Sequence, residues 1–154
     1  MSRDVAIGVG CRKGCSADAI EGVIYKALAL VSSLPRRRES ILGHREGGQV
    51  DSHRRGAGDP FEIAGLFTLI DKEGEAGLVE AANRLGLSLN FFSRDALRAQ
   101  SDRVRTAAPR AQAEFDVPSV AEAAALAGAG PGSVLLVARI AEGGATCAIA
   151  GAAS

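Results

Sequence analysis

The stretch that decides the fold is Val5-Ala6-Ile7-Gly8-Val9-Gly10-Cys11-Arg12-Lys13-Gly14, an apolar run that passes into a glycine-rich basic turn. Residues 4–9 predict a buried β-strand. Apolar side chains recur at helical spacing over residues 17–34, with Ser16 placed to cap the helix and Pro35 to end it. A buried strand joined by a tight turn to a helix with one apolar face predicts an α/β fold.

The turn is also the strongest chemical signal in the chain. Its glycines allow close approach of the backbone, Arg12 and Lys13 supply two cations, and the helix behind them presents the positive end of its dipole. These features favour an anion site, although a tight turn with a purely structural role contains the same glycines. The spacing is not Gly-x-Gly-x-x-Gly and no Gly-Lys-Ser/Thr ending follows, so the turn is not typical of a nucleotide-binding loop.

Composition limits the class of protein. The 154 residues predict a single domain over residues 1–154. Lys plus Arg and Asp plus Glu both number 18, and this balance argues against nucleic acid and anionic membranes as partners. No apolar run reaches the roughly 20 residues of a membrane span. The start, Met1-Ser2-Arg3-Asp4, lacks the apolar block of a signal peptide, which predicts a cytoplasmic protein.

The cysteines and histidines give no metal-binding pattern. Cys11, Cys15 and Cys147 are an odd number in a reducing compartment, so we expect free thiols. His44 and His53 have no neighbouring Cys or His at metal-ligand spacing. The sequence therefore predicts no metal site and no cofactor.

The rest of the chain alternates between strand and helix patterns after one interruption. Residues 35–60 are rich in Gly and Arg with few large apolar groups, and they predict a flexible basic insertion. The later predicted strands are 64–70, 88–92, 134–140 and 145–150, and the last two form a hairpin. The later predicted helices are residues 75–85, a short helix after Ser93, and a helix that begins at Ser119, where Glu122 completes a capping box. Residues 101–117 lack a period and predict an irregular loop. These five strands and four helices predict a single-domain three-layer α/β/α sandwich with a mixed sheet of about five strands.

Three segments, taken in order, carry a resemblance to a known family. They are the opening stretch of residues 5–14, Thr68-Leu69-Ile70-Asp71-Lys72-Glu73-Gly74-Glu75-Ala76-Gly77-Leu78, and Leu85-Gly86-Leu87-Ser88-Leu89-Asn90-Phe91-Phe92-Ser93. They resemble the CobE proteins and the C-terminal domain of the CbiG proteins, both of cobalamin biosynthesis, with stand-alone CobE the closer match. The resemblance covers nearly all of the chain except residues 35–60. The chain departs from the family pattern at this insertion and at Cys15, where a small residue or Thr is expected.

The resemblance implies a protein that binds a precorrin or corrinoid intermediate of cobalamin biosynthesis. Such macrocycles are fringed by acetate and propionate carboxylates, so their site needs fixed cations and an apolar wall. The carboxyl ends of parallel strands would bring the turn after the first strand and the loop after the second strand to one edge of the sheet. We therefore expect the substrate-binding residues to be Gly10, Cys11, Arg12, Lys13, Gly14, Ser16, Lys72 and Glu75. Among them Arg12, Lys13 and Lys72 would bind carboxylates, and Gly10 and Gly14 would shape a backbone nest.

The sequence leaves alternatives open for both the site and the activity. Arg12 or Lys72 can instead form surface ion pairs with Asp71, Glu73 or Glu75. The likeness to CbiG implies a lactone hydrolase that releases acetaldehyde from a cobalt-precorrin, but no catalytic residue is identified, because the cysteines lack a His partner. A third reading is an interaction module whose basic insertion docks another enzyme of the pathway.

Overall fold

The structure is a computed structural model that describes residues 3–32, 61–106, 109–115, 117 and 119–152. The predicted insertion at residues 35–60 and the predicted helix end at Pro35 lie outside this range. The strands are β1 (Arg3–Cys11), β2 (Phe61–Leu69), β3 (Leu89–Phe92), β4 (Ser133–Glu142) and β5 (Ala145–Ala152). The helices are α1 (Ala17–Ser32), α2 (Ala76–Leu85), α3 (Arg94–Arg98), α4 (Pro109–Phe115) and α5 (Val120–Ala129), and residues Ile70–Lys72 and Ser101–Arg103 form 3₁₀ turns.

The strands form one mixed sheet in the order β3-β2-β1-β5-β4. β1 pairs in parallel with β2, and β2 with β3, whereas β5 lies antiparallel to both β1 and β4. Helices α1 and α2 cover one face, and α5 covers the other with α3 and α4 beside it. The predicted α/β fold with a mixed five-stranded sheet between helical layers is confirmed.

The face under α1 and α2 is a core of large aliphatic side chains. Ile20 and Ile24 of α1, Leu78 of α2 and Ile7 of β1 are all fully buried there. The Oγ of Ser16 accepts a hydrogen bond from the N–H of Ala19 at 3.1 Å, so the predicted cap of α1 is confirmed. Burial of these side chains fixes α1 on the sheet, and it places the turn that precedes α1 at the edge where β1 ends.

Helix α5 approaches the sheet more closely. Residues 120–126 are all buried, and a Cβ atom added at Gly8 of β1 would lie 1.9 Å from the backbone oxygen of Ala121 and 2.5 Å from the backbone nitrogen of Ala125. Backbone therefore packs directly on backbone at this point. The N-terminus of α5 consequently lies near the carboxyl end of β1.

Three expectations about secondary structure were wrong. Residues 101–117 contain the helix α4, so the described part of the chain has five α-helices instead of four; α4 is only two turns long, too short for its period to be visible. Strand β2 begins at Phe61 and ends at Leu69, because Ile70 already belongs to a 3₁₀ turn. The Oγ of Ser119 accepts from the N–H of Glu122 at 3.3 Å as a cap should, but the Glu122 carboxylate binds backbone groups elsewhere.

None of the described helices is long and apolar enough to cross a membrane.

Candidate functional site

A cleft of about 730 Å³ lies at the edge of the sheet where β1 and β2 end. The turn after β1, the 3₁₀ turn after β2 and the hairpin turn between β4 and β5 contribute its rim, and α5 reaches it through Ser119 and Val120. The parallel pairing of β1 with β2 and the antiparallel pairing of β1 with β5 bring these turns together. The volume falls within the roughly 300–1,000 Å³ of small-molecule sites, so the cleft is large enough to hold a ligand.

Most of the predicted binding residues meet at this cleft. Gly10, Cys11, Arg12, Lys13, Lys72 and Glu75 line it. Gly14 and Ser16 line a neighbouring, smaller cleft of about 350 Å³, which Glu75 also borders. The expected set is therefore divided between two adjacent clefts, and Ser16 acts as the cap of α1.

The backbone of the basic turn is held by the chain itself. The N–H of Arg12 donates to the carbonyl of Gly144 at 3.0 Å, and the N–H of Cys15 donates to the carbonyl of Arg12 at 3.1 Å. Gly14 has a positive φ of 77°, and its N–H donates to Oε1 of Glu75 at 2.9 Å. The expected backbone nest thus already holds an internal carboxylate at Gly14, so the capacity of the cleft for an anion depends on its side chains.

Two of the four carboxylates that line the cleft form ion pairs with cations, and a third, Glu75, accepts the turn N–H just described. Arg94 donates to Asp71 at 3.2 Å from Nε and 2.6 Å from Nη2, and this contact lowers the pKa of Asp71. Glu142 pairs with Lys26 at 3.0 Å. Asp71 and, more weakly, Glu114 raise the pKa of the Arg94 guanidinium. Three of the four lining carboxylates are therefore bonded directly to groups of the protein.

The cations of the cleft are not engaged in this way. Arg12, Lys13, Lys72 and Arg139 line it, and within the described part of the chain none of the four has a carboxylate oxygen within 4.0 Å. The Nζ of Lys72 lies 5.1 Å from the centre of the Phe115 ring, at a cation–π distance. The alternative of surface ion pairs with the neighbouring acids is not observed for Arg12 or Lys72 among these residues.

The cysteines of the turn are poorly suited to act as nucleophiles. Burial raises the pKa of the Cys11 thiol to about 11, although the nearby Lys72 lowers it. Burial also raises the pKa of Cys15, whose Sγ lies 3.6 Å from the carbonyl oxygen of Gly143. All three cysteines are free, as predicted. Since the thiolate is the reactive form, these environments do not favour thiol chemistry at neutral pH.

Several residues of the cleft were missed from sequence. Phe115 belongs to α4, which had been predicted as a loop, and Val120 and Thr146 carry no charge that would mark them. The Oγ1 of Thr146 lies 3.2 Å from the carbonyl oxygen of Gly10 and forms part of the floor. Arg139 did give a signal, because it is a single charged residue between the apolar side chains of β4.

Comparison with known proteins adds an independent finding. The family model described as Cobalamin synthesis G C-terminus matches residues 48–150. The chain is similar in structure to CobE, a protein from the cobalamin (vitamin B12) biosynthetic pathway, with a TM-score of 0.74 and 25% sequence identity over 99% of this chain and 93% of that chain. It is also similar to the cobalamin biosynthesis protein chiG from Agrobacterium tumefaciens str. C58, with a TM-score of 0.63 and 29% identity over 97% of this chain and 99% of that chain. No curated protein matches the chain.

Proposed function

The chain belongs to the family of the cobalamin synthesis G C-terminus and acts in cobalamin biosynthesis, and on this premise we propose that it binds a carboxylate-rich precorrin or corrinoid intermediate in the cleft at the end of β1 and β2. Arg12, Lys13 and Lys72 bind carboxylates of the ligand. The protein acts as a binding or carrier protein for that intermediate.

The observation that carries this proposal is the difference between the two kinds of charge around the cleft. Three of its four carboxylates form a direct hydrogen bond or ion pair with a group of the protein, whereas Arg12, Lys13 and Lys72 have no carboxylate within 4.0 Å among the described residues. The lining therefore contains as many cations as carboxylates, but it is the cations that remain available to bind a ligand. Charge-assisted hydrogen bonds from such cations to carboxylates are roughly twice as strong as neutral ones.

An apolar wall next to the cations supports a macrocyclic ligand over a small anion. Phe115 and Val120 are buried and line the cleft, together with Ala111, Ala141 and Ala145. Lys72 stacks over Phe115, so a cation and the apolar wall are in contact. A ring with carboxylates at its edge would place its face against the wall and its edge against the cations. The N-terminus of α5, with Val120 as its first residue, adds positive potential to the same place.

The test is a visible-absorbance and calorimetric titration of the purified protein with hydrogenobyrinic acid and with a cobalt-containing corrinoid. Arg12→Ala and Lys72→Ala are each expected to weaken binding by about 10- to 100-fold, because one charge-assisted contact contributes about 1.5 to 3 kcal/mol. Arg98→Ala is the matched control, since Arg98 pairs with Asp95 on α3 and does not line the cleft. Absence of binding by the unchanged protein would contradict the proposal.

The same preparation separates a carrier from a lactone hydrolase. The raised pKa values of Cys11 and Cys15 support binding over a thiol-based lactone opening. We expect no acetaldehyde when the protein is incubated with a cobalt-precorrin lactone. Acetaldehyde release that disappears in Arg12→Ala would replace the carrier role with the enzymatic one.

A further inference from the structure

An irregularity in β4 lies beside the cleft. Val137 of β4 pairs with Ile149 of β5, and Ile140 pairs with Cys147, so three steps along β4 correspond to two steps along β5. The extra residue makes a β-bulge at positions 138–139. Bulges bend a strand and redirect a side chain, and they are frequent next to functional sites. Arg139 lies at this bulge.

A fully buried carboxylate holds the bulge in place. The side chain of Glu122 on α5 is 0% exposed. Its Oε2 accepts a hydrogen bond from the N–H of Arg139 at 2.8 Å, and its Oε1 accepts from the N–H groups of Arg105 and Thr106 at 2.7 and 2.8 Å. A carboxylate is costly to bury unless it is hydrogen-bonded, and three backbone donors offset that cost. Glu122 therefore joins three parts of the chain at one point: helix α5, strand β4, and the segment of residues 105–106 that precedes α4.

The side chain of Arg139 is left with an unused donor. It lines the cleft, and within the part of the chain that the structure describes its Nε is buried without a hydrogen-bond partner. A guanidinium has five N–H donors and no acceptor, so this Nε–H can be satisfied only by an acceptor brought to it. Leaving a buried donor unsatisfied costs stability, and an acceptor supplied by a ligand would recover it.

We propose that Arg139 is a carboxylate-binding residue of the cleft, which binds a ligand carboxylate side-on through its Nε–H and one Nη–H, and that Glu122 is its positioning residue. This inference rests on the proposed function and extends it to a fourth cation of the lining, carried by β4, which is separated from β1 by β5. A planar two-donor contact of this kind matches a carboxylate and discriminates against ligands whose acids are esterified or amidated.

The first experiment needs no corrinoid. The arginine Nε–H region of a ¹H–¹⁵N spectrum is recorded while sodium propionate, a mimic of one ligand arm, is added, with sodium chloride at equal ionic strength as the control. The Arg139 resonance is assigned by its loss in Arg139→Gln. We expect propionate to shift it and chloride to leave it in place. An Arg139 resonance that propionate does not move would overturn the proposal.

The second experiment measures hydrogenobyrinic acid binding in substituted proteins. Arg139→Gln is expected to weaken binding 10- to 100-fold, and Arg139→Lys at least about tenfold, because an ammonium group cannot supply the paired donors. Arg105→Gln is the matched control, since Glu122 binds the backbone of Arg105 as well but that side chain is exposed and does not line the cleft. Equal affinity of the unchanged protein and Arg139→Gln would overturn the proposal.

Glu122→Gln separates positioning from a general loss of structure. It should weaken binding when Arg139 is present and add little when Arg139 is already Gln, a non-additivity that a merely structural role would not produce. If Glu122→Gln does not fold, the Arg139 substitutions alone decide the proposal. If the unchanged protein fails to bind hydrogenobyrinic acid, the proposed function is contradicted, and the propionate spectra still decide the role of Arg139.

Discussion

Large aliphatic side chains fill the space between the sheet and helices α1 and α2, whereas alanine and bare backbone fill much of the space between the sheet and α5. On the first face the buried cluster includes Ile7, Ile20, Ile24 and Leu78. On the second face, the cluster that joins α5 to β4 and β5 is mostly alanine: Ala121, Ala125, Leu126, Leu135, Ala148 and Ala150. The helices on the two faces therefore contact the sheet differently: α1 and α2 through large side chains, and α5 through alanine and backbone at closer approach.

The difference explains where the cleft is. On the α1 face a layer of side chains separates helix from sheet, and the site residues on that side come from the turn before the helix. On the α5 face the helix backbone touches β1 at Gly8, so the first residue of α5, Val120, lies 3.5 Å from the position that a Cβ of Gly10 would occupy. The floor of the cleft therefore lies on the face that α5 covers. The site depends on the close packing of α5 against β1, because this packing brings Val120 to the end of the strand.

The largest effect is expected where α5 touches the strand. In Gly8→Ala the new methyl carbon would lie 1.9 Å from the Ala121 oxygen, and α5 must move as a unit because the atoms it meets are backbone. We expect a loss of about 3 kcal/mol or more in the free energy of unfolding, at the upper end of overpacking effects. Urea denaturation followed by circular dichroism measures it.

The control for Gly8→Ala is Gly22→Ala on the opposite face. Gly22 lies on the exposed side of α1, and a Cβ there would meet nothing within 4 Å. Alanine at this position is expected to stabilise the protein by about 0.4 to 1 kcal/mol, because the unfolded chain loses conformational freedom. Similar losses in both variants would show that backbone contact does not distinguish the two faces.

A smaller effect should follow from deleting one methylene carbon on the α1 face. Ile24 is fully buried among aliphatic side chains, so Ile24→Val leaves a small cavity and should cost about 0.5 to 1.5 kcal/mol. Val79→Ala on α2 is the control, because Val79 is 45% exposed and its truncation should change stability by less than about 0.5 kcal/mol. Equal effects of the two truncations, measured by urea denaturation, would contradict a core held by side-chain volume.

The α1 side and the α5 side of the sheet also differ in how much of each could be predicted from sequence. The strand, turn and helix of residues 3–32 follow from local rules, namely an apolar run, a serine cap and a helical period, and they agree with the structure. The convergence of Arg12 and Lys72 could be predicted as well, because parallel strands end at one edge of a sheet. These features depend on periodicity and topology, which a single sequence carries.

The features on the α5 side could not be predicted, because they depend on tertiary partners. A short helix such as α4 has no visible period, and Phe115 becomes a wall only when α4 packs beside α5. Glu122 has the sequence pattern of a capping box, yet its carboxylate is used by backbone groups far away in the chain. The bulge that places Arg139 is a matter of strand register, and register is set by the partner strand.

The smallest effect concerns an exposed ion pair at the rim of the cleft, where charge acts and packing contributes little. Arg94 donates to both oxygens of Asp71, so the pKa of Asp71 is lower in the folded protein than its ordinary value of about 3.9. The unfolded chain therefore takes up this proton at a higher pH than the folded protein does. The stabilisation from the pair is complete above the unfolded-state pKa, and it is lost as pH falls through the folded-state pKa.

Asp71→Asn removes this titration without changing either packed face. The difference in unfolding free energy between the unchanged protein and Asp71→Asn should be constant from about pH 7 to 5 and should shrink below about pH 4, where the unchanged protein loses the ion pair. Urea denaturation at a series of pH values measures it. Arg94→Gln should show the same pH dependence as Asp71→Asn, since either substitution breaks the pair. A difference that grew on acidification would mean that Arg94 does not stabilise the ionised carboxylate, and Asp71 could then no longer be counted among the cleft carboxylates that a cation of the protein holds.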